Sequence, residues 1–105
     1  MFKESIVNDL ENKRDELKKE IDEINNRLIN YRKGSLFVKN NYFYIKYYEN
    51  GKVVSKYVGK NLSKEDIDNI NRELKNHKTL QKRNNEYVKE LNEIEKLIRK
   101  YGGKL

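Results

Sequence analysis

Tyrosine and lysine recur together in this sequence at spacings suited to contact chemistry. Between positions 32 and 60 stand seven basic residues (Arg32, Lys33, Lys39, Lys46, Lys52, Lys56 and Lys60), five of the eight tyrosines and one acid, Glu49. Lysine neutralises phosphate charge, and a tyrosine ring stacks on a base while its hydroxyl donates to a phosphate oxygen. A second basic run, Lys75, Lys78, Lys82 and Arg83, lies in an acid-free stretch from Leu74 to Asn85.

The groups that hydrolysis or redox chemistry needs are absent or isolated. The chain has no cysteine, so it holds no disulfide and no thiolate metal site. His77 is its single histidine, which removes His–His metal pairs, and no cysteine stands beside it as a nucleophile. Glu16-Leu17-Lys18 and Glu73-Leu74-Lys75 match the Glu-x-Lys fragment of some nucleases. Both fall in helical pattern rather than on a strand, and with 39% charged residues such tripeptides recur by composition. There is no glycine-rich phosphate loop and no acidic cluster with EF-hand spacing. Asp15, Glu16, Glu20, Asp22 and Glu23 read as a solvated helix face. The expectation is a non-enzymatic protein with no cofactor and no bound metal.

What remains is to place the basic and aromatic residues. The chain has 105 residues, a formal charge of +7 and only 35% apolar residues. Typical globular chains carry ~45–50%, so one domain over 1–105 with little core is expected. No stretch nears the ~18 apolar residues of a membrane span, and Met1–Leu10 lacks a signal-peptide apolar run. A cytoplasmic protein with no membrane partner is expected. Lys, Asn, Ile and Tyr are abundant while Ala, Pro and Trp are missing, the bias of an AT-rich genome such as a low-GC bacterium or its phage. That bias inflates lysine everywhere, but the excess charge is local. Residues 1–31 hold six basic and eight acidic side chains, and residues 61–105 hold eleven and eight.

The spacing predicts an α+β protein: a long N-terminal helix over 1–33, a three-stranded antiparallel meander over 34–60 and a long helix over 63–101. In the first helix Val7, Arg14, Ile21 and Leu28 share one heptad position, and Leu10, Leu17, Ile24 and Tyr31 share the other. So narrow a stripe is a coiled-coil seam. It pairs either with Leu80–Tyr101 folded back antiparallel or with a second copy in a homodimer. Gly34 stands where a glycine C-cap would end this helix. In the middle, Asn40-Asn41 and Asn50-Gly51 separate β-rich runs, and Asn-Gly suits a type I′ hairpin turn. Ser63-Lys64-Glu65-Asp66 reads as a helix start, with a capping hydroxyl and acids in the first turn. Apolar or seam residues then recur at steps of three and four, with two consecutive threes through His77 and Leu80 and seam places at Asn84 and Ile98. That stammer, with the weak helix formers of 76–79, leaves a kink and a break both open. Gly102-Gly103 closes the helix.

Two-residue turns pair Lys39 with Tyr42, Val38 with Phe43 and Phe37 with Tyr44 in the first hairpin. The second pairs Tyr48 with Val53, Lys46 with Ser55 and Tyr44 with Tyr57. Alternation then assigns Leu36, Val38, Phe43, Ile45, Tyr47, Val54 and Val58 to one face, with Lys56 as the exception. That face needs a cover, most simply Ile67–Leu74. The other face collects Phe37, Lys39, Tyr42, Tyr44, Lys46, Tyr48, Val53, Ser55 and Tyr57, aromatic and basic with no acid. It reads as cross-strand aromatic pairing that serves the sheet itself, or as a contact surface for nucleic acid or protein.

Gly34-Ser35-Leu36, Tyr42-Phe43-Tyr44-Ile45-Lys46-Tyr47-Tyr48, Gly51-Lys52 and Ser55-Lys56-Tyr57-Val58-Gly59-Lys60 resemble the strand block of a group of small uncharacterised bacterial and phage proteins. The block is also similar to the arm-type DNA-binding domain of tyrosine integrases. That resemblance implies a sheet that enters the DNA major groove, with Tyr42, Tyr44, Lys46, Ser55 and Lys56 facing the DNA.

The expected function is nucleic-acid binding, DNA or RNA, by a protein of a phage or mobile element. Lys39, Lys46, Lys52 and Lys56 would neutralise phosphate, and Tyr42, Tyr44, Tyr48 and Tyr57 would stack or hydrogen-bond. Lys75, Lys78, Lys82 and Arg83 would extend the track. Two alternatives stand beside it. One is a phage inhibitor of the anti-CRISPR type that binds a nucleic-acid-binding host protein. The other is a homodimeric coiled-coil scaffold.

Overall fold

A computed structural model describes residues 2–102, with side chains described from residue 4 onward. The elements follow one another as helix α1 (Phe2–Ile29), strands β1 (Ser35–Lys39), β2 (Tyr42–Glu49) and β3 (Lys52–Lys60), and helix α2 (Lys64–Lys100). The fold is α+β, helix–sheet–helix. The chain divides into two compact units. One holds the described residues up to Arg27 together with those from Gln81; the other is Leu28–Leu80.

The first unit is a helical hairpin. Leu17, Ile94 and Ile98 form its buried cluster, with Leu10, Tyr87 and Leu91 packed against them. Asn25 meets Asn84, whereas Leu17 meets Ile94 and Ile98, so the two helices run antiparallel. Leu17 and Ile24, on one heptad position, are both buried, and Ile98 is fully so. Burying such a side chain contributes roughly 1.5–3 kcal/mol. The seam is therefore closed within the chain, the intramolecular one of the two pairings open to the sequence. Arg14, the polar interruption of the stripe, turns its Nε to Asp15 Oδ1 at 3.1 Å. An ion pair across the hairpin, Lys13 to Glu90 at 3.9 Å, is half exposed and adds at most about 1 kcal/mol.

The second unit is built on the sheet, in the order β1-β2-β3 with both pairings antiparallel. Every expected hairpin pair is present, including Lys39 with Tyr42 and Tyr44 with Tyr57. The turns explain the register. Asn40 and Asn41 have φ of 53° and 65°, and Asn50 and Gly51 have 52° and 76°. Both central residues of each turn thus take the left-handed conformation that a type I′ turn needs. Ile45, Ile70 and Leu74 form the core under one face, with Leu36, Tyr47, Val58 and Leu62 against them. The first turns of α2 are the cover that this face required.

α2 starts as expected. The Asp66 N–H donates to Ser63 Oγ at 3.1 Å, and the Ile67 N–H donates to the Ser63 carbonyl at 3.0 Å. It continues unbroken through residues 76–79, so the stammer marks no chain break. The Thr79 hydroxyl donates to the Lys75 carbonyl at 3.0 Å, which satisfies the side chain inside the helix. Gly102, at φ 81°, closes α2, with its N–H on the Arg99 carbonyl; Gly103 lies outside the described residues.

Two local expectations are corrected. α1 ends at Ile29 rather than near residue 33, because the Tyr31 N–H turns back to the Leu28 carbonyl and tightens the last turn. Gly34 is therefore no C-cap. It leads into β1 at φ 112°, and a Cβ there would collide with the Lys46 carbonyl oxygen. The connection is fastened to α2 by Glu73, whose Oε1 accepts the Arg32 N–H at 2.8 Å while Oε2 lies 3.8 Å from the Arg32 Nε.

Candidate functional site

The face of the sheet turned away from the Ile45–Ile70–Leu74 core carries one continuous ring array. Phe37 stacks on Tyr44 across β1 and β2, with centroids 5.2 Å apart and planes at 21°. Tyr44 meets Tyr57 of β3 at 5.7 Å and 53°, and Tyr57 meets Tyr42 at 6.2 Å and 49°. These are offset or tilted arrangements, which the ring quadrupole favours. The array spans all three strands because Phe37, Tyr44 and Tyr57 are cross-strand partners in the ladder.

Two ammonium groups sit on the array. Lys46 Nζ lies 4.2 Å from the Phe37 centroid, and Lys60 Nζ lies 5.0 Å from that of Tyr42. Lys39, paired with Tyr42, adds a third cation. Alternation places no acid on this face, since Glu49 follows Tyr48 and pairs with Lys52 on the other side. Tyr48, 76% exposed, and Tyr57, 58% exposed, keep ring surface open to solvent. Among the described residues the hydroxyls of Tyr42, Tyr44, Tyr48 and Tyr57 have no hydrogen-bond partner. The face thus offers cations, free hydroxyls and flat apolar surface side by side.

Of the residues singled out from the sequence, Lys39, Tyr42, Tyr44, Lys46, Tyr48 and Tyr57 come together here. Lys52 and Lys56 do not. Lys52 pairs with Glu49, and Lys56 Nζ lies 5.6 Å over the ring of Tyr47, which packs against the core on the opposite face. Lys33 Nζ reaches the same ring at 4.9 Å. Lys75 and Lys78 are exposed on α2 within the sheet unit, and Lys82 and Arg83 are exposed in the helical hairpin.

Lys60 is the member of the face that sequence reasoning missed. A regular ladder would carry it out of step with Tyr42. Tyr44 pairs with Tyr57 but Phe43 pairs with Gly59, so Val58 is an extra residue and the strand bulges. The bulge brings Lys60 opposite Tyr42. A lone glycine inside a strand pattern is the available signal for it; a Cβ on Gly59 would stand 2.8 Å from Leu62 Cδ2.

His77 is half-buried on α2. Burial, and then the charge of Lys33, push its pKa below the usual 6.5. No acid, thiol or hydroxyl bonds to it, so it forms no triad among the described residues. No group of three or more metal-ligating side chains occurs among the described residues. Nor is any described helix long and apolar enough to cross a membrane.

These features define a small helix–sheet–helix protein with a basic, aromatic sheet face. The chain belongs to the family described as domain of unknown function DUF6788, whose model matches residues 7–68, from α1 to the first turn of α2. No curated protein and no solved structure matches it.

Proposed function

We propose that the outer sheet face binds nucleic acid without catalysis, chiefly through phosphates and with limited base specificity. The observation that carries this reading is the Phe37–Tyr44–Tyr57–Tyr42 array bearing the ammonium groups of Lys46 and Lys60 and no acid. Lysines at rings place charge neutralisation beside stacking surface, the combination that holds a nucleic-acid strand. Lys39, Lys46 and Lys60 contact phosphates in this reading, and Tyr48 and Tyr57 present open rings. The setting that fits is the cytoplasm of a bacterial cell, on host, phage or mobile-element nucleic acid.

Fluorescence anisotropy on labelled 20-nucleotide single and double strands tests this. Binding at 50 mM salt should weaken steeply as salt rises. Lys39→Gln, Lys46→Gln and Lys60→Gln each remove one phosphate partner. Each should lower the slope of log K against log salt by about 0.7–0.9. No binding of either form at 50 mM salt rejects the proposal. A protein partner, such as a nucleic-acid-guided defence nuclease, is the second reading. It is favoured by Tyr48 and Val53, paired at one end of the face and 76% and 56% exposed. Co-purification with a host protein after nuclease treatment would support it.

A further inference from the structure

A cavity of about 300 Å³ opens within the sheet unit, away from the aromatic array. Its walls are Gly34, Ser35 and Leu36 at the start of β1, and Asn71, Leu74, Lys75 and Lys78 on α2. Asn71, Leu74 or Lys75, and Lys78 follow one another at three- and four-residue steps, so they share one face of the helix. Gly34 contributes backbone without side-chain bulk, since it passes tightly against the Lys46 carbonyl.

The lining is chemically one-sided. Lys75 and Lys78 bring two positive charges, and among the described residues neither ammonium has an ion-pair partner. Asn71 adds a neutral hydrogen-bonding side chain and Ser35 its backbone, and no acid lines the space. Glu73, the acid nearest in sequence, is already engaged by Arg32. Leu36, half-buried, supplies apolar surface, while Leu74 is 3% exposed and belongs to the core below. A cavity of this size stands at the small end of ligand sites and exceeds what a lone oxyanion fills.

We propose that this cavity binds a phosphate monoester, with the phosphate between Lys75 and Lys78 and the organic part against Leu36. The charge suits it: a phosphate monoester carries nearly two negative charges at neutral pH, because its second pKa lies near 6. Two lysines match that charge, and the Asn71 amide donates to a remaining oxygen. A free nucleotide and the 5′-phosphorylated end of a strand both present this chemistry. The site uses none of the residues of the aromatic face, so it stands or falls apart from the nucleic-acid reading of that face.

The test is a nuclear magnetic resonance titration of the full chain with adenosine 5′-monophosphate, adenosine and inorganic phosphate. Adenosine 5′-monophosphate should shift the amides of Ser35, Leu36, Asn71 and Leu74 saturably, and adenosine should not. Inorganic phosphate should bind more weakly, since it leaves Leu36 uncovered. Lys75→Gln with Lys78→Gln should weaken nucleotide binding by at least about tenfold, because two charge-assisted hydrogen bonds are removed. Lys96→Gln, exposed in the helical hairpin and outside both sites, should leave it unchanged. Asn71→Leu, which removes a donor and fills space, is the second variant and should weaken it as well. Tighter binding of a 5′-phosphorylated octathymidine than of its 5′-hydroxyl form, dependent on Lys75 and Lys78, assigns the site to strand ends; equal binding assigns it to the free nucleotide. The proposal is overturned if the nucleotide leaves those four amides unmoved, or if the double variant binds it as the parent does.

Discussion

Asn84 is the least satisfied side chain of the helical hairpin. It is buried, its Nδ2 donates to Asn25 Oδ1 at 3.0 Å, and its own Oδ1 has no partner. A buried polar atom left unpaired costs about 1–3 kcal/mol. An amide on an apolar seam trades stability for one fixed alignment of the helices. Asn84→Leu should therefore raise stability by about 1–2 kcal/mol in urea unfolding, and a lower midpoint would contradict that account. His77 makes a second residue-scale case. Its proton is held less firmly in the folded chain than in the unfolded one, so the unfolded state gains protons first on acidification. The stability linked to neutral His77 is whole above pH 6.5 and is lost as pH falls through that value toward the lower folded pKa. His77→Gln should flatten the change in urea midpoint between pH 7.5 and 5.5; an unaltered slope would assign the dependence to other groups. The sequence placed both residues on the helix seam, but their surroundings arise only when the chain packs.

At the scale of elements, legibility followed locality. The hairpin registers could be read directly, because two-residue turns bearing Asn-Asn and Asn-Gly leave one way to align the strands. The core face was legible for the same reason, and so was its cover by Ile67–Leu74, although Val38, assigned to that face, is 55% exposed. The Val58 bulge was not, since Gly59 is its one local signal and the shift itself exists only in the paired ladder. The end of α1 is not legible, because the heptad pattern continues to Tyr31 while the backbone has already turned. Gly34 suggests a helix end in the sequence, yet the need for it comes from β2. Gly34→Ala combines an unfavourable positive φ with a collision against the Lys46 carbonyl. It should destabilise the sheet unit by about 1–3 kcal/mol or more, measured as reduced amide protection in β1 and β2. Wild-type protection in the variant would show that the β1–β2 approach relaxes freely. The candidate site was legible to the extent that alternation decides it: six residues came together as expected, and Lys60 joined them through the bulge.

At the scale of the whole molecule, a thin apolar supply is divided between two clusters, Leu17–Ile94–Ile98 and Ile45–Ile70–Leu74. Each needs only a narrow stripe or one sheet face, which reconciles 35% apolar residues with ordered structure. The two units also differ in how far apart in sequence their partners stand. Every pair in the meander joins strands separated by a two-residue turn, whereas Leu17 must find Ile98 across nearly the whole chain. Closing a long loop costs more entropy than closing a tight turn, and distant contacts form more slowly. Pulse-labelled hydrogen exchange during refolding should therefore protect the amides of Tyr44 and Ile45 before those of Leu17 and Ile94; simultaneous protection would mean that the chain folds in one step. On this expectation the helical hairpin is the late event in the folding of each molecule. On the ribosome α1 emerges before the sheet and α2, and waits through the synthesis of the sheet for a partner not yet made, its apolar stripe open to whatever it meets.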